Sequence, residues 1–170
     1  MAQYIDIQTD FNEVKEYLKQ MGKSGRTVSR YILRNIGRIT KNKVKKSYNL
    51  YLHKKSGSLY KSIKSTLSKR KDYDVISANA KSEKGVRYGY VHAAGTTIKA
   101  KKNKYLTFKV NDKWVKKVSV RIPSKNFMEE PANSYLNSSQ MRTDIDFYLE
   151  KKLQQMEKQG RIERVYEDNT

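Results

Sequence analysis

The sequence predicts an α+β fold in which a twisted antiparallel β-sheet of about five strands packs against a long N-terminal helix. Hydrophobic residues recur with a helical period over residues 10–52 and again over 129–159, and with a period of two over 62–123. A helix laid across one face of the sheet is the simplest way to bury both patterns. With 170 residues the chain is long enough for one core, so we expect a single domain over 1–170 that frays over 160–170.

Two helices are predicted at the N-terminal end of the chain. The first is short and amphipathic and covers residues 10–21. Segment 22–25, with a glycine at each end, is expected to separate it from the second helix. The second helix is expected to begin at Ser24 or Thr27.

The long helix combines an apolar arc with a basic stripe. It is expected to end near Leu52, and a drift of its apolar residues beyond Thr40 predicts either a bend there or a helix that wraps around the core. Its apolar arc consists of Val28, Ile32, Ile36 and Ile39. The stripe on the other side consists of Arg26, Arg30, Arg34 and Arg38. These arginines are candidates to face a polyanion, and the alternative is an ordinary solvated helix face.

The β-sheet is predicted from residue 62 onwards, where apolar and polar residues begin to alternate. The predicted strands are 63–67, 75–78, 86–90, 106–110 and 114–122. The last two are expected to form a hairpin around a tight turn at Asn111-Asp112.

The last helix is predicted over residues 129–159, after Pro123 closes the sheet. Glu129, Glu130 and Pro131 suit a first helical turn, because acidic side chains favour the positive end of the helix dipole and proline needs no hydrogen-bond acceptor there. An interruption is expected near Ser138 and Ser139.

The charge is large, positive and unevenly distributed. The chain has 37 Lys and Arg against 17 Asp and Glu, a net charge of +20. Residues 1–126 hold 31 basic and 8 acidic residues, whereas 127–170 hold 6 and 9. We therefore expect one strongly positive surface that attracts nucleic acid or an acidic protein face. The alternative explanation of the charge is solubility.

A basic connector follows Gly95. It carries four lysines in six residues, namely Lys99, Lys101, Lys102 and Lys104. One explanation of these lysines is that the segment is a mobile loop that its charge keeps soluble. We favour an arm that docks on a neighbouring subunit, and contact with a phosphate backbone is the other alternative.

No catalytic, cofactor or metal site is predicted. The chain has no cysteine, which excludes disulfides, thiolate metal sites and cysteine nucleophiles. Its two histidines, His53 and His92, have no acidic neighbour in sequence that would orient a general base. No apolar run is long enough for a membrane span, and the first residues lack the features of a secretory signal.

Three stretches resemble the tail-completion proteins of long-tailed phages. Residues 56–63 (Ser-Gly-Ser-Leu-Tyr-Lys-Ser-Ile) are similar to a segment that lies between their long helix and first strand. Residues 88–96 resemble a strand end that finishes in Gly-Thr, and 122–127 resemble an Ile-Pro-x-Arg-Pro-Phe element before the last helix. Residues 98–107 are similar to the virion-morphogenesis proteins of Mu-type phages, a broad group that includes the minor tail protein Z of phage lambda. The structural motif positions are Gly57, Leu59, Ser62, Gly95, Pro123 and Phe127.

This chain departs from the family pattern at two places. Lys125-Asn126 stands where the family has Arg-Pro, which removes a rigid turn and a bidentate donor. Ala94 stands where an aromatic residue is often found before the glycine.

The resemblance implies a structural virion protein without enzymatic activity. Such proteins act at the neck, in tail completion and head–tail joining, as a ring that the resemblance implies to be a hexamer. The expected partners are copies of itself, tail-tube or terminator proteins, and head-connector proteins, with transient proximity to genomic DNA and no membrane. The expected location is the virion neck after assembly in the host bacterial cytoplasm. The positive surface is then expected to face the ring lumen.

Two other hypotheses remain at this point. The charge and the aromatic residues also fit a basic nucleic-acid-binding protein without enzymatic activity, for which a steep salt dependence of DNA binding is expected. A small basic nuclease would require cleavage that depends on His92 or on a metal ion.

Overall fold

The α+β fold class is confirmed. The computed structural model describes residues 4–7, 12–52, 57–69, 73–81, 88–101 and 104–162. The helices in these ranges are α1 Asn12–Gln20, α2 Gly22–Tyr51, α3 Ser58–Ser62, α4 Tyr88–Ala94, α5 Glu129–Leu136 and α6 Ser139–Lys158. The strands are β1 Tyr4–Ile7, β2 Ile63–Leu67, β3 Asp74–Ala78, β4 Thr96–Lys99, β5 Leu106–Val110, β6 Lys113–Lys117 and β7 Ser119–Ile122.

Helix α2 is the central element of the core. It runs without interruption from Gly22 to Tyr51, through Thr40, where a bend was predicted. The buried hydroxyl of Thr40 donates a hydrogen bond to the Ile36 carbonyl at 2.9 Å, so this polar side chain is satisfied inside the helix. The apolar arc predicted from sequence is largely correct: Val28, Ile32 and Ile36 are buried.

The predicted break over residues 22–25 is shorter than expected. Only Met21 separates the helices, and Gly22, the first residue of α2, has a left-handed backbone with φ +57°. Gly25 lies inside α2, where a Cβ atom would overlap the Leu18 carbonyl oxygen of α1. Gly25 therefore allows the two helices to touch, and it does not end either of them.

A three-stranded antiparallel sheet packs on α2, with the order β1-β3-β2. Strands β2 and β3 were predicted, whereas β1 was not. Ile63 lies opposite Ala78 across the β2–β3 pair, and both are buried, as is Ile76 in the middle of β3. The burial of each of these three side chains stabilises the fold by roughly 25 cal/mol for every Å² of apolar surface that is removed from water.

The closest approach of α2 to this sheet is at Gly37 and Asp74. A Cβ atom on Gly37 would lie 2.6 Å from Asp74 Cγ and closer still to Oδ2. The Ser65 hydroxyl donates a hydrogen bond of 2.8 Å to Asp74 Oδ2 from the neighbouring strand. Burial raises the pKa of Asp74, and this effect outweighs the opposing effects of hydrogen bonds and of the Arg34 charge. A carboxyl group is thus enclosed between the helix and the sheet.

The expectation of one five-stranded sheet is wrong. The remaining strands form two separate two-stranded sheets, β4–β7 and β5–β6. The strand predicted over 86–90 is also wrong, because Tyr88–Ala94 forms α4, while residues 86 and 87 lie outside the described ranges. A Cβ atom on Gly89 would come within 2.6 Å of the Ala78 carbonyl oxygen, so α4 rests closely against the end of β3. Three apolar residues at alternate positions are too few to distinguish a strand from a helical turn.

The predicted interruption of the C-terminal helix is confirmed. Ser138 separates α5 from α6 and caps α6, since its Oγ accepts a hydrogen bond from Met141 N at 3.3 Å. The buried Tyr135 of α5 donates a hydrogen bond to Asp144 Oδ2 at 2.6 Å, which holds the two helices together. Ala132, Met141 and Ile145 complete the core beside α2.

Residues 160–162 are ordered, although fraying was predicted from residue 160. Gly160, with φ +64°, ends α6 in a Schellman motif: its N–H donates to the Glu157 carbonyl at 2.8 Å, and Arg161 N–H donates to the Met156 carbonyl at 2.9 Å. Ile162 then packs against the core. Residues 163–170 lie outside the described ranges.

Gly37→Ala is expected to lower the free energy of unfolding by about 2 kcal/mol, although alanine normally favours a helix over glycine. The added methyl group would collide with Asp74 Oδ2. Chemical denaturation of Gly37→Ala, Asp74→Ala and the double variant would measure the coupling between the two positions. The double variant should lose less free energy of unfolding than the two single variants lose together. A neutral or stabilising Gly37→Ala would contradict this packing.

Asp74→Asn is expected to gain free energy of unfolding, relative to wild type, as the pH rises from about 4 to 7. Because the folded pKa is raised, the native state binds more protons than the unfolded chain in the window between the two pKa values. The stability of the wild type therefore falls as pH rises through that window, while the uncharged amide is unaffected. Urea denaturation at several pH values would measure the difference.

Asp112→Asn, on an exposed carboxylate, is the control. It should follow wild type across the same pH range. If the free energy of unfolding of Asp74→Asn changes with pH in the same way as that of wild type, ionisation of the buried carboxyl group does not destabilise the fold.

Candidate functional site: a basic β-arm

Residues 96–122, which we call the arm, form one long interrupted hairpin. At its base β4 pairs with β7, so that Thr96 lies opposite Ile122 and Lys99 opposite Ser119. Ala100 N–H donates to the Val118 carbonyl at 3.1 Å. Toward the tip β5 pairs with β6, with Leu106 opposite Lys117. Six residues of sequence separate Lys99 from Leu106, whereas Val118 alone separates Lys117 from Ser119 on the other side. This mismatch splits the hairpin into two ladders.

Local backbone chemistry shapes both ends of the arm. At the tip, Asn111 and Asp112 have φ values of 46° and 61°, as a type I′ turn requires. The predicted hairpin turn is thus confirmed. At the base, Gly95 has φ +70°, and a Cβ atom there would lie 2.7 Å from Ser124 N. Pro123 follows the last strand, so two of the motif positions frame the point where the arm leaves the body.

The predicted strand 114–122 is only partly correct. It is two strands, β6 and β7, which end and begin on either side of Val118. The reason lies in the pairing: β6 hydrogen-bonds to β5 and β7 to β4, and the unequal number of residues between them interrupts the ladder. The alternation of apolar and polar residues continues across Val118, so the sequence gives no sign that the strand changes its pairing partner there.

The apolar residues of each ladder lie on one face, which in the tip ladder also carries Lys113 and Lys117. In the tip ladder Phe108 lies opposite Val115, with Leu106 and Val110 on the same face. In the base ladder Ile98 lies opposite Val120. Ile98 is 44% exposed and Val110 is 47% exposed. Within the described residues, no arm side chain belongs to the core or packs against it.

The other face of the tip ladder is basic. Lys109 lies opposite Trp114, and Thr107 opposite Lys116. Trp114 is 68% exposed, and Lys109 Nζ lies 5.5 Å from its ring centroid. The arm as a whole carries nine Lys or Arg residues and one acidic residue, Asp112.

The predicted basic connector is part of this arm. Lys99 belongs to β4, so the segment begins as a strand where a loop between strands was expected. Lys101 and Lys104 are exposed in the interruption between the ladders, and Lys102 lies outside the described residues. Docking on a neighbouring subunit stays a prediction.

The arginine stripe on α2 is not uniform. Arg30 Nη2 donates a hydrogen bond of 2.8 Å to the Ser68 carbonyl, just beyond β2, and so ties the helix to the sheet. Arg26, Arg34 and Arg38 are exposed. Arg38 Nη2 lies 3.5 Å from the Tyr148 hydroxyl of α6. A polyanion-facing function stays a prediction for this stripe.

The remaining motif positions have structural functions. Gly57, with φ +72°, begins α3, and Leu59 in that helix is buried. The Ser62 hydroxyl donates to the Leu59 carbonyl at 2.8 Å and accepts from Ala80 N–H at 3.0 Å, which joins α3 to the segment after β3. Phe127 is fully buried and packs edge-on against Tyr48, with ring centroids 5.8 Å apart.

No catalytic arrangement surrounds His92 within the described residues. It lies half-buried in α4, and burial together with the charge of Lys125 lowers its pKa. No described carboxylate forms a hydrogen bond with it, and no group of three or more histidines and acids among the described residues could hold a metal ion. His53 lies outside the described ranges. Of the helices in those ranges, none is both long and apolar enough to span a bilayer.

The acidic residues of α5 and α6 occupy different environments. Glu129 and Glu130 are exposed in the first turn of α5, as expected. Asp144 is bound to Tyr135, whereas Asp146 is exposed on α6. The sequence offered no sign that Asp74 is buried, because an aspartate at the start of a strand usually belongs to an exposed turn.

Comparison of the chain with protein-family models, with curated proteins and with solved structures finds no match to any of them.

Proposed function

We propose that the protein is a structural virion protein of a phage or prophage, acting without enzymatic activity in tail completion and head–tail joining as a subunit of an oligomeric ring. The observation that carries this proposal is the arm, whose apolar residues do not pack on the core in the part of the chain that the structure describes. The resemblance of residues 56–63, 88–96 and 122–127 to tail-completion proteins supplies the biological setting.

An arm of this kind is better suited to binding other protein subunits than to catalysis. Both outer edges of its two-stranded ladders have unpaired backbone groups, which attract other strands or surfaces. Its exposed apolar residues gain roughly 25 cal/mol for each Å² that a partner covers. Its lysines keep the free arm soluble and prevent arms of different copies from pairing, because like charges repel.

The proposed setting is the neck of the virion. Ring subunits contact their neighbours through two different surfaces, and the arm provides one of them. Tail-tube or terminator proteins and head-connector proteins are the proposed partners above and below the ring. The genome would pass close to the basic residues during packaging and ejection, and the protein would reach the virion from the host cytoplasm.

The double variant Ile98→Ser and Val110→Ser is expected to weaken self-association about tenfold or more and to leave the melting temperature unchanged. Both side chains are partly exposed on the arm and neither packs on the core, so their loss affects a docked partner and not the fold. Analytical ultracentrifugation, and negative-stain imaging of purified tails incubated with the protein, would measure assembly.

Leu50→Ser is the matched control, since Leu50 is an apolar residue that is 81% exposed and belongs to α2, not to the arm. It should assemble like wild type. If wild-type protein neither self-associates nor caps tails, the proposed function is wrong. If the arm variant assembles as well as the Leu50 control, the arm is not the contact.

DNA binding is the second candidate function, favoured by the exposed cations on α2. Arg34, Arg38 and Lys41 form no salt bridge with the carboxylates that the structure describes. A protein that used them on DNA would lose affinity steeply with salt.

Arg34→Gln with Arg38→Gln tests this second candidate. If these residues contact phosphates, the log–log slope of DNA affinity against salt should decrease by about two. Under the ring proposal the wild type binds duplex DNA weakly, and the variant changes neither the slope nor ring assembly. Fluorescence anisotropy over a salt series would distinguish the two results.

A further inference from the structure

We infer that the basic face of the arm's tip ladder binds single-stranded nucleic acid, with a base stacked on Trp114 and the adjacent phosphates on Lys109 and Lys116. This inference goes beyond the proposed function, which uses the apolar residues of the arm. The two can fail separately, because Val110 and Trp114 lie on opposite faces of the tip ladder.

The basic face consists of four residues. Lys109 lies opposite Trp114, and Thr107 lies opposite Lys116. Since residues two apart on a strand point to the same side, these four share one face. All four are exposed. The face therefore presents one aromatic ring, two ammonium groups and one hydroxyl group to the solvent, and it carries no carboxylate.

Trp114 is the feature of this face that solubility does not explain. Lysines on a short ladder keep its edges from aggregating, whereas an exposed tryptophan acts against solubility. The Trp114 side chain is 68% exposed, although Lys109 Nζ lies 5.5 Å from its ring centroid. Most of the indole surface is thus available for stacking, and a cation already stands beside it.

The charge of the arm indicates a polyanion as the partner. The arm carries nine Lys or Arg residues and one acidic residue, Asp112. Asp112 has φ 61° in the type I′ turn, a position that favours Asn, Asp and Gly, so the backbone accounts for this carboxylate. In the base ladder Lys99 and Arg121 share one face and are both exposed. Cations therefore recur along the whole arm, as they do in proteins that neutralise a chain of phosphates.

The spacing of the basic face fits a stacked base with a phosphate on either side. Lys116 lies about 7 Å from Trp114 along β6, and Lys109 lies about 5 Å away on the paired strand. The lysine side chains are flexible, so they can reach the phosphates on the two sides of one base. Stacking on an aromatic ring beside a positively charged track is how proteins bind single strands.

A single strand fits this face better than a duplex does. The bases of a duplex are stacked on one another, so Trp114 could reach the flat side of a base only after unstacking it. Bidentate Arg, Asn and Gln side chains, which read base edges in a duplex, are absent from the four residues of the face. Stacking tolerates every base, so we expect binding without sequence preference.

Trp114 is the only tryptophan of the chain and therefore reports its own contact. Titration of the full chain with oligothymidylate should quench its fluorescence, because a base stacks on the ring. Heparin and polyglutamate, which are polyanions without bases, should bind more weakly and leave the emission unquenched. Equal quenching by either of them, or tighter binding of a DNA duplex, would overturn the site. Tighter binding of vesicles of phosphatidylserine and phosphatidylcholine would assign the face to a membrane and overturn it as well.

Trp114→Ala should weaken oligothymidylate binding about tenfold, since stacking of one base on an aromatic side chain contributes roughly this factor. Trp114→Phe should restore most of the affinity. Fluorescence anisotropy of a labelled oligothymidylate measures both variants, and thermal melting checks that they fold. If Trp114→Ala binds like wild type, the site is wrong.

Phe147→Ala is the matched control for Trp114→Ala. Phe147 is 56% exposed, and Lys151 Nζ lies 5.6 Å from its ring centroid, so it also combines an exposed ring with a lysine. Its helix α6 carries four acidic and four basic residues, and this balance attracts no polyanion. Phe147→Ala should bind oligothymidylate like wild type, and an equal loss in both variants would overturn the site.

Lys109→Gln with Lys116→Gln tests the phosphate contacts. The log–log slope of oligothymidylate affinity against salt should decrease by about 1.4, since each contact with a single strand contributes about 0.7. Lys113→Gln with Lys117→Gln removes the same charge from the opposite face and should change the slope by less than half as much. Equal changes would show that binding depends only on the net charge of the arm, which overturns the site.

Self-association distinguishes this site from the proposed function. Trp114→Ala should assemble like wild type in analytical ultracentrifugation, since Trp114 does not share the face of Val110. If Trp114→Ala loses self-association, Trp114 binds another subunit and the nucleic-acid site is wrong. If the wild type binds oligothymidylate through Trp114 but neither self-associates nor caps tails, the proposed function falls and this site stands.

Discussion

The close approach of α2 to strands β2 and β3 is the contact on which the body of this protein depends. Gly37 permits it, because a side chain at this position would occupy the space of the Asp74 carboxyl group. One side of α2 can then bury its apolar arc on the sheet, while α5 and α6 cover another. Most of the stability of a helix in a folded protein comes from the packing of its apolar residues, and α2 packs both on the sheet and on α5 and α6.

The core and the arm follow different physical rules. In the core, several polar side chains bond inside the chain: Thr40 within α2, Ser65 to Asp74 Oδ2, and Tyr135 to Asp144. Asp74 Oδ1 is buried without a hydrogen-bond partner among the described residues. In the arm, Ile98, Val110 and Trp114 are exposed, and no described arm residue packs on the core. These side chains are therefore available to a partner, as the proposed function requires.

The charge is unevenly distributed over these elements. Basic residues are concentrated in the arm and on α2, whereas α5 and α6 together carry six acidic and four basic residues.

The positions on which the resemblance to tail-completion proteins rests have architectural functions in this fold. Gly95 and Pro123 frame the arm, Ser62 joins α3 to the segment after β3, and Phe127 fills the core.

The sequence by itself determined the features that depend on short stretches of chain. The long amphipathic helix, strands β2 and β3, the turn at Asn111-Asp112 and the interruption before Ser139 were all predicted, since each arises from local periodicity, backbone preference or capping. Only the tertiary structure decided that the strands form three small sheets, that residues 88–94 are helical, and that Gly25 and Gly37 serve close packing. It also decided that Asp74 is buried and Phe147 exposed. These outcomes depend on which distant segments meet, and a residue carries no local sign of its distant neighbours.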